Sequence, residues 1–135
     1  MGKKFLGDFN PDDTELIVNK MLGSGFGDGT FIKVSFDEPA RWKKHVGAKG
    51  EVSRTKNCNT SGTITVSLKW NSPFRVYLDK LKYSPGVFEI SVKNNNYFAH
   101  SSEAWIDNDP DVALADEEQV LEYIFGCADL TSNFR

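Results

Sequence analysis

The sequence has 135 residues, of which 39% are hydrophobic, 26% charged and 13% aromatic, a composition that supports one globular domain with its own core. Its formal charge of −3 argues against a free-standing nucleic-acid binder, because such proteins use a basic excess to displace counterions from phosphates. No apolar run approaches the ~18 residues of a membrane-spanning helix, and the opening MGKKFLGDFNPDD is broken by Gly, Asp and Pro, so cytoplasmic synthesis without a membrane anchor is expected.

Residues 14–20 (TELIVNK) read as a first strand centred on Leu16-Ile17-Val18. In the following GSGFGDG, Gly23, Gly25, Gly27 and Gly29 alternate without the Gly-x-Gly-x-x-Gly order, or the helix after it, that a dinucleotide site needs. This stretch reads as a turn with positive φ. Residues 31–36 (FIKVSF) put Ile32, Val34 and Phe36 on one face and suggest a hairpin with the first strand. Asp37-Glu38-Pro39 ends that strand.

A long arm follows at about residues 37–62, as two extended halves around Gly47-Ala48-Lys49-Gly50. Residues 51–56 are expected to pair with residues 63–69, the clearest strand, where Ile64, Val66 and Leu68 alternate with polar neighbours. Ser72-Pro73 has the form of a helix start, and Phe74, Tyr77, Leu78 and Leu81 recur at helical spacing. Residues 87–93 and 97–107 then read as paired strands around an Asn94-Asn95-Asn96 turn that favours left-handed backbone angles. An acidic loop at 108–118 precedes a last strand at 120–130, whose phase slips near Gly126 as at a bulge. The reading is mainly β: an antiparallel β-sandwich or barrel of about seven strands with one flanking helix, in a single domain over residues 1–135.

No catalytic constellation is present in the sequence. His45 lies in a charged loop and His100 beside Ser101 and Ser102, with nothing that sets nucleophile against base. Cys58 and Cys127 read as free thiols, Cys127 as a buried one, and neither they nor the histidines have zinc-ligand spacing. No cofactor and no metal are expected.

What stands out is the charge distribution. Arg41, Trp42, Lys43, Lys44, His45, Lys49, Arg54 and Lys56 make the arm basic, with Trp42 as an interface anchor. Asp107, Asp109, Asp111, Asp116, Glu117 and Glu118 form an acidic stretch and a candidate counter-surface. Trp70 and Trp105 are expected in or beside the core. Such asymmetry suits head-to-tail assembly, in which one patch meets a different patch on the next copy. The alternative is a nucleic-acid-binding β-barrel that uses Trp42 and the basic arm.

The segments GFGDGTFIKVSFDE, KHVGAKGEVSRTKNCNTSGTITVSL, the SPF helix start, GVFEISVKNN, SEAWI and the closing CADL together resemble bacteriophage tail tube proteins, the inner-tube subunits of contractile-tailed phages and related particles. The leader through Asp13 and the tail from Thr131 lie outside the resemblance. It implies a non-enzymatic structural subunit whose copies close into hexameric rings, with the rings stacked into a tube through which DNA passes without specific binding. It also implies sheath, baseplate and tail terminator proteins as partners, and a place in the virion tail after assembly in the host cytoplasm.

Overall fold

Alternation in the stretch that begins at Gly62 builds the centre of the fold. Ile64, Val66 and Leu68 are fully buried, whereas the intervening threonines and Ser67 face outward. The computed structural model describes residues 4–134. A short 3-10 turn (Pro11–Asp13) leads into β1 (Glu15–Val18), β2 (Met21–Leu22), β3 (Ile32–Phe36), β4 (Trp42–Val46), β5 (Val52–Lys56) and β6 (Gly62–Lys69). Helix α1 (Pro73–Leu81) follows, then β7 (Phe88–Asn94), β8 (Tyr97–Ile106), β9 (Val120–Cys127) and β10 (Leu130–Phe134).

Eight strands form one antiparallel sheet in the order β2-β1-β7-β8-β9-β6-β3, with β10 also paired to β8; β4 and β5 form a separate ribbon. The main sheet wraps a single core of Leu16, Val18, Ile64, Val66, Leu68, Ile90, Val92, Leu121, Tyr123 and Phe125. Phe74 and Leu78 of α1 close it from one side. This is the mainly β, antiparallel class with one flanking helix that the sequence pattern indicates. Pro73 opens the helix as expected, but the Ser72 hydroxyl donates to the Ser24 carbonyl (2.6 Å) instead of capping it. That bond ties the helix start to the glycine segment, where Gly25 (φ +72) lies so close that a Cβ would meet Ser72 at 2.6 Å.

Several sequence expectations are corrected. β3 does not form a hairpin with β1: residues 23–31 cross to the far side, where Phe26 bridges Leu68, and β3 pairs with β6. β5 pairs with β4 and not with β6. Glycine aside, positive φ falls at Asn19 and Lys20, which close the β1–β2 hairpin, and not in the Asn94-Asn95-Asn96 turn. No bulge occurs at Gly126. The β9 ladder to β6 runs unbroken from Val120 opposite Lys69 to Cys127 opposite Gly62, and the register shift lies in β7 between Phe88 and Ile90. Residues past Leu130 form β10, which keeps the register of β9 against β8, with Cys127 opposite Ala104 and Leu130 opposite Ser101.

Two buried groups titrate far from their usual range. Burial, followed by the hydrogen bond donated to Asp79 (2.7 Å), pushes the Tyr123 phenol up to about 12. Burial likewise pushes the Cys127 thiol up to about 11, whereas Cys58 is exposed. A thiol reagent at pH 8 is therefore expected to modify Cys58 in the native protein and Cys127 only after unfolding. Rapid reaction of both thiols in the native state would contradict this packing.

Candidate assembly interface

The ribbon is an outward continuation of the β3–β6 hairpin. Phe36 stands opposite Gly62, the Asp37 N–H donates to the Ser61 carbonyl (3.1 Å), the Asn57 N–H donates to the Arg41 carbonyl (2.8 Å), and Trp42 stands opposite Lys56. One register thus holds from the core to the tip, with a neck between. The neck is fastened by side chains: Asn57 Nδ2 donates to the Ala40 carbonyl (2.8 Å) and the Ser61 hydroxyl to the Asp37 carboxylate (2.8 Å). At the tip the Gly47 N–H donates to the Glu51 carbonyl (2.7 Å) and Gly50 takes φ +88.

Strand alternation sorts the basic residues onto two faces. Trp42, Lys44 and Val46 share one face with Lys56, Arg54 and Val52, while Lys43 and His45 lie on the other with Thr55 and Ser53. On the first face the Arg54 guanidinium stacks over the Trp42 ring at 3.8 Å. On the second, His45 Nε2 and Thr55 Oγ1 are 3.0 Å apart. Arg41 sits at the neck and Lys49 in the turn, so the eight arm residues do not form one patch. Every residue of β4 and β5 is exposed, including Val46 and Val52. A two-stranded ribbon on its own is marginal in water, and this one is anchored to the sheet through its neck.

The acidic stretch lies at the other end of the body. The ribbon leaves β6 at Gly62, whereas residues 107–119 return to the sheet where Val120 meets Lys69. Across the eight residues of β6, at about 3.3 Å each, the ends are roughly 25 Å apart. Three of the six acids are engaged: Asp109 pairs with Lys82 (3.1 Å), Asp107 accepts from Trp105 Nε1 (3.4 Å) and Glu118 accepts from the Asn71 N–H (3.3 Å). The Asp109 hydrogen bond holds the Lys82 ammonium above its ordinary pKa. Asp111, Asp116 and Glu117 are exposed, with no side-chain partner among the described residues.

Two features lay outside the reading of the sequence. β3 is a free sheet edge beside an apolar cleft of about 660 Å³ lined in part by Ile32, Val34, Val92, Tyr97 and Phe134, while the opposite edge is blunted by the two-residue β2. A second hollow, of about 320 Å³, lies between the acidic loop and Trp70. Exposed Phe134 is one signal that could have pointed to the first, and exposed Leu114 to the second, but aliphatic and aromatic residues in a sequence look alike whether buried or not.

No reaction centre is assembled among the described residues. Among the described residues, no group of three or more His, Cys, Asp or Glu could hold a metal ion. His100 Nε2 pairs with Glu89 (2.7 Å), and the buried Ser101 hydroxyl bonds to the Glu103 backbone, so serine and histidine do not meet. Among the described residues, no helix is long and apolar enough to cross a membrane.

The body is thus an antiparallel sheet with one helix, a protruding basic ribbon at one end and an acidic stretch at the other. No family model matches the chain, and no curated protein matches it in sequence. Solved structures match its shape along almost the whole length. The anti-feeding prophage cap, a tube-terminating cap, superposes with a TM-score of 0.65 at 9% identity, covering 100% of this chain and 97% of the other. A chain from the virion of a native gene transfer agent particle gives 0.66 at 13% identity, covering 93% and 98%. A chain from the sheath-tube complex of an extracellular contractile injection system (PVC), in its extended state, gives 0.61 at 11% identity, covering 95% and 93%. The protein therefore has the fold shared by these tail and injection-system components.

Proposed function

We propose that this protein is a structural subunit of a phage-type tail tube, without catalytic activity or cofactor. The observation that carries this reading is the match in shape to cap, tube-complex and particle chains across at least 93% of both partners. Copies close into hexameric rings, the rings stack into a tube, and DNA passes through the lumen without specific binding. The free β3 edge with its apolar cleft supports lateral pairing within a ring, because an unpaired strand edge is a template for a neighbouring strand. The basic ribbon and the acidic stretch, at opposite ends of the body, support head-to-tail contact between rings. Obligate contacts of this kind bury roughly 2,000 Å² or more, so edge pairing and ribbon act together. Sheath, baseplate and terminator proteins are its further partners, and its destination is the virion tail after assembly in the host cytoplasm.

The test is negative-stain electron microscopy of the purified protein at rising concentration, with mass measured in parallel. Stacked rings or hollow tubes are the expected result. A second reading, a nucleic-acid-binding barrel, rests on exposed Trp42 beside Lys44, Arg54 and Lys56. Arg54 already covers one side of that indole at 3.8 Å, which leaves a base less room to stack. A strictly monomeric protein that binds single-stranded DNA with steep salt dependence would favour that second reading.

A further inference from the structure

The ribbon ends in an apolar tip. Val46 and Val52 stand opposite each other on the Trp42 face, 63% and 64% exposed, with Lys44 and Arg54 one pair behind and Lys49 in the turn. These two aliphatic side chains touch each other across the ribbon but lie outside the core of their own chain. They stand ready for a partner.

The hollow under the acidic loop has matching chemistry. Its floor is Trp70, which is partly buried against the core and has the Arg75 guanidinium 5.1 Å from its ring centre. Leu114, 83% exposed, lines it together with Asp116 and Glu117, whose side chains have no partner among the described residues. The hollow measures about 320 Å³, room for a pair of small aliphatic side chains and too little for a helix or a folded element.

From these observations we infer that the hollow between Trp70 and Leu114 is the seat for the ribbon tip of a second copy, with Val46 and Val52 against Trp70 and Leu114, and with Lys44, Lys49 and Arg54 facing Asp116 and Glu117. The inference rests on the tube reading and deepens it by naming the seat. Three features support this occupant. The tip sets two valines ahead of cations, and the hollow sets Trp70 and Leu114 among Asp116, Glu117 and Glu118, so each offers an apolar pair within charge of opposite sign. The ribbon leaves β6 at the end roughly 25 Å from the hollow, and its tip lies about 30 Å farther out still, away from the hollow, so a chain cannot fill its own seat. The contact is also heterologous: each copy offers one tip and one seat, which leaves one of each free at the ends of a stack.

Site-directed crosslinking tests this. In a Cys58→Ser background, one batch carries Val46→Cys and a second carries Leu114→Cys; the batches are mixed, assembled and oxidised. All three positions are exposed, and unchanged thermal unfolding verifies that each variant folds. A disulfide requires Cβ atoms about 4 Å apart, so the Val46–Leu114 bond is expected to form on the order of ten-fold more than a control with Asn95→Cys, in the β7–β8 turn at the ribbon end. Tubes that form without the Val46–Leu114 bond, or with a Val46–Asn95 bond in its place, would overturn the seat and leave the tube reading standing. Failure of the wild-type protein to assemble at any concentration would remove both.

Discussion

Replacing Lys44 and Arg54 together by Glu is expected to raise the concentration needed for rings or tubes by on the order of 100-fold, while the thermal midpoint of the monomer moves by no more than about 2 °C. Both residues lie on the Trp42 face of the ribbon, opposite each other in the β4–β5 register, and both are exposed. The double substitution turns two positive charges that would face Asp116 and Glu117 into two negative ones, so attraction becomes repulsion at the same contact. It also removes the guanidinium that stacks over Trp42 at 3.8 Å. Neither side chain touches the core, and this leaves the monomer intact. The matched control is Lys43→Glu with His45→Glu, which also introduces two carboxylates but on the other face. It is expected to have a smaller effect, by about ten-fold. Light scattering against concentration measures both variants. Equal effects would mean that ribbon charge matters without regard to face, and the proposed docking geometry would then be abandoned.

How far the sequence revealed this structure depended on whether a signal was local. β6 was legible because Ile64, Val66 and Leu68 alternate without interruption and are all fully buried. α1 was legible from Pro73 and from the spacing of Phe74 and Leu78. β10 was not, since of its five residues only Leu130 is buried and pairing with β8 holds the rest. The supposed slip at Gly126 shows a subtler failure. Leu121, Tyr123, Phe125 and Cys127 are in strict alternation, but Gly126 has no side chain to mark the opposite face, so the sequence reading placed Cys127 off the face it shares. Strand pairing was misassigned for the same reason that makes it slow to form: the partner of β3 lies some thirty residues away, and nothing near β3 encodes it. Charge, in contrast, survives in the sequence. The basic and acidic segments could be named from residue type, but not their separation to opposite ends, nor the division of the arm into two faces.

Gly62→Ala is expected to destabilise the protein by about 3 kcal/mol, lowering the thermal midpoint by roughly 10 °C. Gly62 is the point where three strands converge, opposite Phe36 of β3 on one side and Cys127 of β9 on the other. A Cβ there would lie 2.4 Å from Leu130 Cδ2 and 2.6 Å from the Ser35 carbonyl oxygen. The first contact involves a side chain only 2% exposed, with little room to turn; the second involves backbone of the paired strand. Relief requires β3 to move off β6 or Leu130 to leave the core. Gly126→Ala provides the comparison, because its Cβ would meet the Trp105 ring at 2.6 Å, but that ring is 37% exposed and can swing outward with loss of its bond to Asp107. About 1 kcal/mol is expected there. Urea unfolding of the two variants measures the difference, and near-equal losses would mean that the approach at the neck is looser than the geometry states. Gly62 is also the first β6 residue after the ribbon, at the end of β3 from which β4 continues, so a displaced β3 carries β4 with it. Gly62→Ala should therefore weaken assembly even well below its thermal midpoint, where the body is still folded, whereas Gly126→Ala, whose added Cβ presses on the Trp105 ring and not on β3, should assemble normally once folded.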